Sequence, residues 1–221
     1  MPYRRLTFTK DVYYHICNRS VGSEKIFSSE AELNRAIDLI NFYRFHSNIS
    51  YSHLSQLTPE VREIRQSQIF SSLPIAEILS FSLMPTHFHF VLRQLVNHGI
   101  ITFLKNIQNG FAKYYNIKYK RHGSVFTNRF KAIYITSEEQ LFHVIRYVEL
   151  NPVSGRLIEI DELEDYPYAS FTTYMGTEIH PFINTELVLN HFKTPEKYKE
   201  FVFNQADYQR RLQEIKILML E

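Results

Sequence analysis

The stretch EILSFSLMPTHFHFVLRQL, residues 77 to 95, constrains the fold more than any other part of the chain. Apolar side chains dominate both halves, and a Met-Pro pair at residues 84 and 85 separates them. Short apolar runs divided by a turn residue are typical of two neighbouring strands. We therefore predict strands over residues 77–85 and 86–95, joined as a β-hairpin.

Further elements are predicted on both sides of the hairpin. Residues 11–20 are rich in β-forming side chains and predict a strand, and residues 30–46 predict an amphipathic helix capped at Ser28-Ser29. Residues 48–76 have loop-forming residues around a short helix and are interpreted as an insertion.

After the hairpin, the pattern predicts a helix over 100–119, a strand over 124–135 and a helix over 137–150 that Pro152 ends. The resulting order, β-α-ββ-α-β-α, indicates an α+β fold with a mostly antiparallel sheet covered by helices. A Tyr- and Pro-rich connector and a charged helical tail follow.

Cysteine content and hydropathy exclude several classes of protein. The single cysteine, Cys17, excludes an internal disulfide and a CxxC zinc site. No apolar run reaches the roughly 18 residues that a membrane span needs. The N-terminal stretch MPYRRLTFTK is basic but has no apolar core of a signal peptide. We therefore predict a soluble, cytoplasmic protein with no membrane partner.

Basic residues are concentrated in the middle of the chain. The net charge is only +2, but residues 97–136 contain no Asp or Glu, and aromatic residues lie between the basic ones. Surfaces that bind single-stranded nucleic acid use this mixture, because cations contact phosphates and rings stack on bases. A solvated helix face is the alternative interpretation. The predicted DNA-binding residues are Lys113, Lys118, Lys120, Arg121, Arg129 and Lys131.

His87 and His89 lie on the second predicted strand of the hairpin. Residues i and i+2 of a strand project to the same side, so these imidazoles share a face while Phe88 and Phe90 point to the other. Two imidazoles about 7 Å apart at Cα can converge on one metal ion. Two ordinary polar residues are the alternative, because a His-X-His pattern also arises by chance.

The stretch RYVELNPVSG, residues 146–155, offers partners for the two histidines. Tyr147 and Asn151 are spaced i and i+4, so they share a helix face. The amide oxygen of Asn151 is a ligand for a hard cation, and the phenol of Tyr147 can act as a nucleophile. Spacing alone does not favour Tyr147 over Tyr114 or Tyr115, and an Asn before a Pro is often only a turn.

Four segments in this order resemble one known family. They are MPTHFHFVL, RHGSVFTNRFKAIYI, RYVELNPVSG and DYPYASFTTYMG. They resemble the single-tyrosine transposases of the HUH endonuclease superfamily, named for a His-hydrophobe-His motif. The resemblance is greatest to the REP-associated tyrosine transposases, which are relatives of the insertion-sequence-200 type, and it runs from about Tyr13 to Gly176.

The resemblance implies a fold, a reaction and a set of residues. The fold is a ferredoxin-like or RRM-like antiparallel sheet in residues 1–155, with the insertion at about 48–76, followed by a connector and C-terminal helical extension in 156–221. The reaction is the cutting and transfer of single-stranded DNA, usually near a hairpin, through a 5′-phosphotyrosine. His87, His89 and Asn151 match the ligands of Mg²⁺ or Mn²⁺, and Tyr147 matches the nucleophile.

Some properties stay open under the resemblance. The family commonly has Asn where this chain has Thr86, which concerns the surroundings of the ligands rather than the ligands themselves. Family members act as monomers or as dimers, so a homodimer is compatible with the sequence. A non-catalytic DNA-binding protein of the same fold and a metal-dependent hydrolase that does not use Tyr147 are the alternative functions.

Overall fold

A four-stranded antiparallel sheet forms the centre of the fold. The computed structural model describes residues 7–206, and its strands are β1 (Tyr13–Arg19), β2 (Ala76–Met84), β3 (His87–Gln94) and β4 (Lys131–Tyr134). They lie in the order β2-β3-β1-β4, each antiparallel to its neighbour. Helices connect β1 to β2 and β3 to β4, which is the ferredoxin-like arrangement. The α+β prediction is confirmed.

Helices pack on both faces of this sheet. Within the described residues their bounds are α1 (Glu30–Tyr43), α2 (Tyr51–Gln56), α3 (Pro59–Phe70), α4 (Gly99–Lys118), α5 (Glu138–Glu149), α6 (Asn151–Ser154), α7 (Phe171–Met175), α8 (Glu186–Phe192) and α9 (Pro195–Phe203). No helix in this part of the chain combines the length and the apolar character that crossing a bilayer requires.

The predicted hairpin is formed by β2 and β3, which turn at Pro85 and Thr86. Its pairing runs from Ala76 opposite Gln94 to Met84 opposite His87. Alternate side chains of β3 point to opposite faces, as the period of a strand requires. One face of the sheet is therefore apolar at this strand, and the other carries the histidines.

The apolar face is covered by α1 and α4. Phe88 and Phe90 of β3 pack in one core with Phe103 and Phe111 of α4. Helix α1 begins with the predicted cap at Ser29, which forms a reciprocal capping box with the glutamate three residues later. This side of the fold buries the aromatic side chains that hold the hairpin in place.

A second core lies on the other face of the sheet. Leu79 of β2 and Val91 of β3 pack there against Ile145 and Val148 of α5. Side chains from the C-terminal helices complete this core, including Phe171, Tyr174, Val188, Tyr198 and Val202. The predicted helical extension is thus present up to residue 206 and shares a core with the sheet; its part from 207 to 221 lies outside the described residues, and the boundary near residue 155 stays a prediction.

Three elements differ from the sequence prediction. The predicted strand over 124–135 is a regular strand, β4, only at Lys131–Tyr134. Residues 125–127 meet the end of β1 through an isolated bridge between Ser20 and Phe126 and through single hydrogen bonds, and they are not part of a continuous ladder. The insertion contains two helices, α2 and α3, rather than one. Helical structure continues past Pro152, which lies in the first turn of α6. A proline is tolerated there because the N–H groups of the first turn have no partner within the helix.

Candidate functional site

Polar side chains of β1 and β3 share the face of the sheet opposite α1 and α4. In the register of these strands Cys17 lies opposite His89, and Arg19 lies opposite His87. Cross-strand partners project to the same side, and His15 precedes Cys17 by two residues. We call this surface the histidine face, defined by His15, Cys17, Arg19, His87 and His89.

The three imidazoles of the histidine face contact one another. Nε2 of His15 lies 2.9 Å from Nδ1 of His89, and the two rings lie edge to edge, with 5.2 Å between centroids and 14° between their planes. The rings of His87 and His89 meet edge to face at 5.1 Å. Nδ1 of His87 is also 3.0 Å from the hydroxyl oxygen of Thr86. The residues predicted from the His-X-His pattern are therefore joined by a third histidine.

Burial keeps two of these imidazoles uncharged at neutral pH. It lowers the pKa of His15 from 6.5 to about 4. Burial, together with the nearby positive charge of Arg19, lowers the pKa of His87 to about 4. A neutral imidazole retains a lone pair on one ring nitrogen, which is the form that binds a metal ion.

Helix α5 places Tyr147 over the histidine face. Its apolar residues Leu141, Ile145 and Val148 recur at helical spacing and enter the second core, and Ser137 caps its first turn. The ring centroid of Tyr147 lies 5.8 Å from that of His89 and 5.6 Å from that of His15. The predicted nucleophile therefore lies against the imidazoles.

The phenol of Tyr147 is protonated at neutral pH. Burial raises its pKa above 10.0, and the neighbouring Cys17 raises it further. Any reaction that uses this oxygen as a nucleophile must remove its proton in the reacting complex.

Asn151 is buried and bonded to the end of α5. Its amide nitrogen donates to the backbone oxygens of Tyr147, at 3.0 Å, and Val148, at 3.4 Å. The short helix α6 that contains it packs against β2, the strand next to the histidines. The structure thus brings Tyr147, His87 and His89 together and ties Asn151 to the backbone of Tyr147. Their predicted roles remain predictions.

The proposed metal ligands lack the carboxylates of common sites, but a buried hydroxyl without a partner lies beside them. Between residues 7 and 206, no three His, Cys, Asp or Glu side chains form a group that could hold a metal ion. The implied ligands instead are two imidazoles and the amide of Asn151. Ser82, opposite His89 in the sheet, is fully buried and its hydroxyl has no hydrogen-bond partner. An unsatisfied buried hydroxyl beside the imidazoles fits a site completed by water or an ion.

The predicted DNA-binding residues occupy different surroundings. Lys118 forms an ion pair of 2.5 Å with the buried Glu32, and Arg121 pairs with Glu24. Burial alone would raise the pKa of Glu32, but hydrogen bonds from Lys118, Tyr119 and Ser29 lower it to about 2. Both cations therefore have structural partners inside the protein.

The remaining predicted cations are exposed. Lys131 lies opposite Cys17 in the sheet and so belongs to the side of the histidine face. Lys113 is on α4, on the other side of the sheet, and Lys120 and Arg129 lie in the segment between α4 and β4. The assignment of these residues to DNA remains a prediction.

Sequence reasoning missed His15, Cys17 and Arg19. The signal was present in YYHICNR, where Tyr14, Ile16 and Asn18 are buried and the alternate residues face the other way. Alternation within one strand identifies residues that share a face, but it does not identify the strand that lies beside it.

The fold is similar to that of a solved transposase. A REP-associated tyrosine transposase bound to a REP hairpin aligns with a TM-score of 0.51 and 15% sequence identity, over 82% of this chain and 89% of that one. A candidate transposase from Deinococcus radiodurans R1 aligns with a TM-score of 0.37 and 14% identity, over 67% of this chain and 96% of that one. No protein-family model matches the sequence, and no curated protein matches it. The first similarity shows that the two proteins share a fold.

Proposed function

We propose that the protein cuts and rejoins single-stranded DNA through a covalent tyrosine intermediate, in transposition or the movement of a repeated element. The observation that carries this proposal is the packing of Tyr147 against His89 and His15, at 5.8 Å and 5.6 Å between ring centroids. A hairpin as the partner is supported by the REP hairpin bound to the solved transposase of the same fold.

The proposed chemistry is a transesterification. The oxygen of Tyr147 attacks the phosphorus of a DNA phosphodiester, the bond from phosphorus to the 3′-oxygen breaks, and the strand leaves as a 3′-hydroxyl. The phenol gives up its proton and the leaving oxygen gains one, so the step is balanced. The 5′-phosphotyrosine keeps the energy of the broken bond, because a phenol of pKa about 10 is a good leaving group. A 3′-hydroxyl of another strand can then reverse the step.

His87, His89 and Asn151 would hold a divalent cation, either Mg²⁺ or Mn²⁺. Such an ion, when bound, polarises a non-bridging oxygen of the phosphate. Imidazole ligands favour Mn²⁺ over Mg²⁺. The uncharged state of His87 supports its assignment as a ligand, since a protonated imidazole has no lone pair to give.

Cations at the border of the histidine face would orient the DNA backbone. Arg19 lies opposite His87 in the sheet, and Lys131, the first residue of β4, lies opposite Cys17. Both are exposed. A phosphate placed between them would be held near the phenol of Tyr147, and holding two reacting groups in the right geometry lowers the barrier to their reaction.

The test is the formation of a protein–DNA adduct that survives SDS. The full-length protein is incubated with Mn²⁺ and a pool of single strands that contain hairpins with randomised flanks. The strands are labelled at the 3′ end, because the fragment that keeps the 5′-phosphate stays on the tyrosine. We expect an adduct with the wild type, none with Tyr147→Phe, and none in EDTA, while DNA binding by Tyr147→Phe stays near the wild-type level.

Tyr134→Phe, a change at an exposed tyrosine of β4, serves as the matched control and should form the adduct normally. An adduct that persists in Tyr147→Phe would assign the nucleophile to another residue. Cleavage to free 5′ ends without any adduct would identify a hydrolase, and binding without cleavage would identify a non-catalytic DNA-binding protein.

A further inference from the structure

We propose that Ile133 forms the apolar surface of a base-binding subsite on the histidine face. One unpaired base of the DNA strand packs on this side chain, and Lys131 contacts the neighbouring phosphate. The inference rests on the proposed function, because it names the part of the single strand that this surface receives.

Ile133 lies on the histidine face, near the proposed nucleophile. In the register of β1 and β4, Ile133 lies opposite His15, and Lys131 lies opposite Cys17. Cross-strand partners project to the same side, with Cβ atoms about 5 Å apart. The ring of His15 is in turn 5.6 Å from the ring of Tyr147 between centroids. A base packed on Ile133 would therefore lie one side chain away from the tyrosine.

The cover over this side of the sheet ends between Ile135 and Ile133. Ile135 continues the pairing of β4, because its backbone N–H donates to the backbone oxygen of Tyr13, and it projects to the same side as Ile133. Ile135 is 6% exposed, in the second core with Leu141 of α5, whereas Ile133 is 59% exposed. Helix α5 packs against β2 and β3. The histidine face is therefore open to a ligand at Ile133.

Cations border this apolar side chain. Lys131 precedes Ile133 on the same side of β4, about 7 Å away along the strand. Arg19 lies on the same face, opposite His87. Both cations are exposed. An apolar surface next to cations matches the alternation of base and phosphate along a single strand, so the charges favour a nucleic acid as the occupant.

An isoleucine side chain contacts a base without reading its identity. It has no hydrogen-bond donor or acceptor to meet the edge of a base, which is where sequence is read. Burying the face of the base against it gains free energy in proportion to the apolar area removed from water. The subsite should therefore prefer a base over an abasic sugar, accept all four bases and add nothing to the salt dependence of binding.

The test is a titration of the full-length protein with DNA in EDTA, where affinity is measured without cutting. The probe is a hairpin-containing single strand enriched from the randomised pool by binding to the wild type. Abasic sites replace its unpaired nucleotides one at a time. At one position we expect the abasic site to weaken binding to the wild type about 3- to 10-fold and to have no effect in Ile133→Thr.

The variants separate an apolar contact from a change in the fold. Threonine at residue 133 keeps a β-branched side chain that suits a strand. Ile133→Val keeps an apolar surface and should respond to the abasic site as the wild type does. Ile117→Thr is the matched control, because Ile117 is 70% exposed on α4, on the other side of the sheet. It should also respond as the wild type does.

Equal effects of every abasic site in the wild type and in Ile133→Thr would overturn the inference. So would a lower salt dependence in Ile133→Thr, because this substitution removes no charge. A wild type that enriches no strand would overturn it together with the DNA partner. A missing adduct with the expected abasic response would reject the proposed function alone, and a normal adduct without that response would reject this inference alone.

Discussion

At the scale of single residues, Glu149 links the helix of Tyr147 to the C-terminal part of the fold. One carboxyl oxygen of Glu149 accepts hydrogen bonds from Ser80 at 3.1 Å, Ser170 at 2.7 Å and Tyr198 at 3.4 Å. Burial nevertheless raises the pKa of Glu149 to about 8, because the hydrogen bonds offset only part of the cost of a buried charge. The side chain is therefore mostly uncharged at neutral pH.

This pKa predicts how stability depends on pH. The folded pKa of about 8 exceeds the unfolded value of 4.5, so the folded protein binds more protons between these values. The contribution of Glu149 to the free energy of unfolding should therefore be greatest below pH 4.5 and fall as pH rises towards 8. The slope is at most about 1.4 kcal/mol per pH unit. Urea unfolding of the wild type and of Glu149→Gln across this range measures it, and the variant should show a flatter curve.

Glu139→Gln provides the control, because Glu139 is exposed on the same helix and should leave the slope of the wild type intact. Parallel curves for the wild type and Glu149→Gln would show that Glu149 does not titrate between its folded and unfolded values as described.

The sequence predicted part of the site at this scale. Strand alternation placed His87 and His89 on one face, whereas Tyr147 was singled out by the family resemblance, since its helical spacing to Asn151 alone did not favour it over other tyrosines. The packing of His15 against His89 was not predictable, since it depends on the register of two strands that are 74 residues apart in the chain. The buried state of Glu149 was hidden for the same reason, because its partners come from three separate elements.

At the scale of elements, the start of α4 depends on close packing at Gly99. A Cβ atom at this position would lie 2.0 Å from the backbone oxygen of Ile75, which precedes β2. Backbone atoms cannot move aside as the end of a flexible side chain can. The helix can begin so close to the hairpin only because residue 99 has no side chain.

We predict that Gly99→Ala lowers the free energy of unfolding by about 1–3 kcal/mol, the usual cost of overpacking. Thermal or urea unfolding measures the change. Gly110→Ala is the matched substitution inside the same helix. Its Cβ would lie 3.2 Å from a side-chain atom of Leu39, and alanine gains up to about 1 kcal/mol of helix propensity over glycine. Equal losses of stability in the two variants would contradict the role given to Gly99.

Helix caps and apolar spacing made most elements predictable. The cap at Ser29 and the acidic first turn of α5 gave the starts of two helices, β-forming composition gave β1, and apolar runs divided by a turn gave the hairpin. The short β4 was not predictable, because residues 125–127 have a β-forming composition but pair with the end of β1 only through an isolated bridge and single hydrogen bonds. Local sequence therefore predicted where elements begin better than how far the pairing extends.

At the scale of the whole molecule, cations that are neighbours in the sequence do not form one surface in the fold. The sequence of residues 97–136 predicted a set of DNA-binding cations. Two of its cations, Lys118 and Arg121, instead pair with carboxylates that lie 86 and 97 residues earlier. Meanwhile Arg19, which lies outside that segment, is on the histidine face with Lys131.

The salt dependence of DNA affinity separates two paths for the DNA. Each phosphate contact with a single strand adds about 0.7 to the slope of log affinity against log salt concentration. We predict that Arg19→Gln with Lys131→Gln lowers this slope by up to about 1.4 in titrations with a hairpin-containing single strand. The pair Lys105→Gln with Lys113→Gln, on α4, should leave it unchanged. The reverse result would place the DNA along α4, on the far side of the sheet.

The two edge strands of the sheet differ in how easily a strand from another molecule could pair with them. Backbone bridges from Ala169 to Ser82 and from Ile183 to Ile78 cover the outer side of β2. Within residues 7–206, β4 is the other border, and it is only four residues long. Unpaired border strands are where a foreign peptide can be added to a sheet, and a lysine such as Lys131 discourages such addition. A strand that docked there would lie next to Ile133, the partner of His15 in the sheet, so self-association through β4 and the proposed reaction with DNA would obstruct each other.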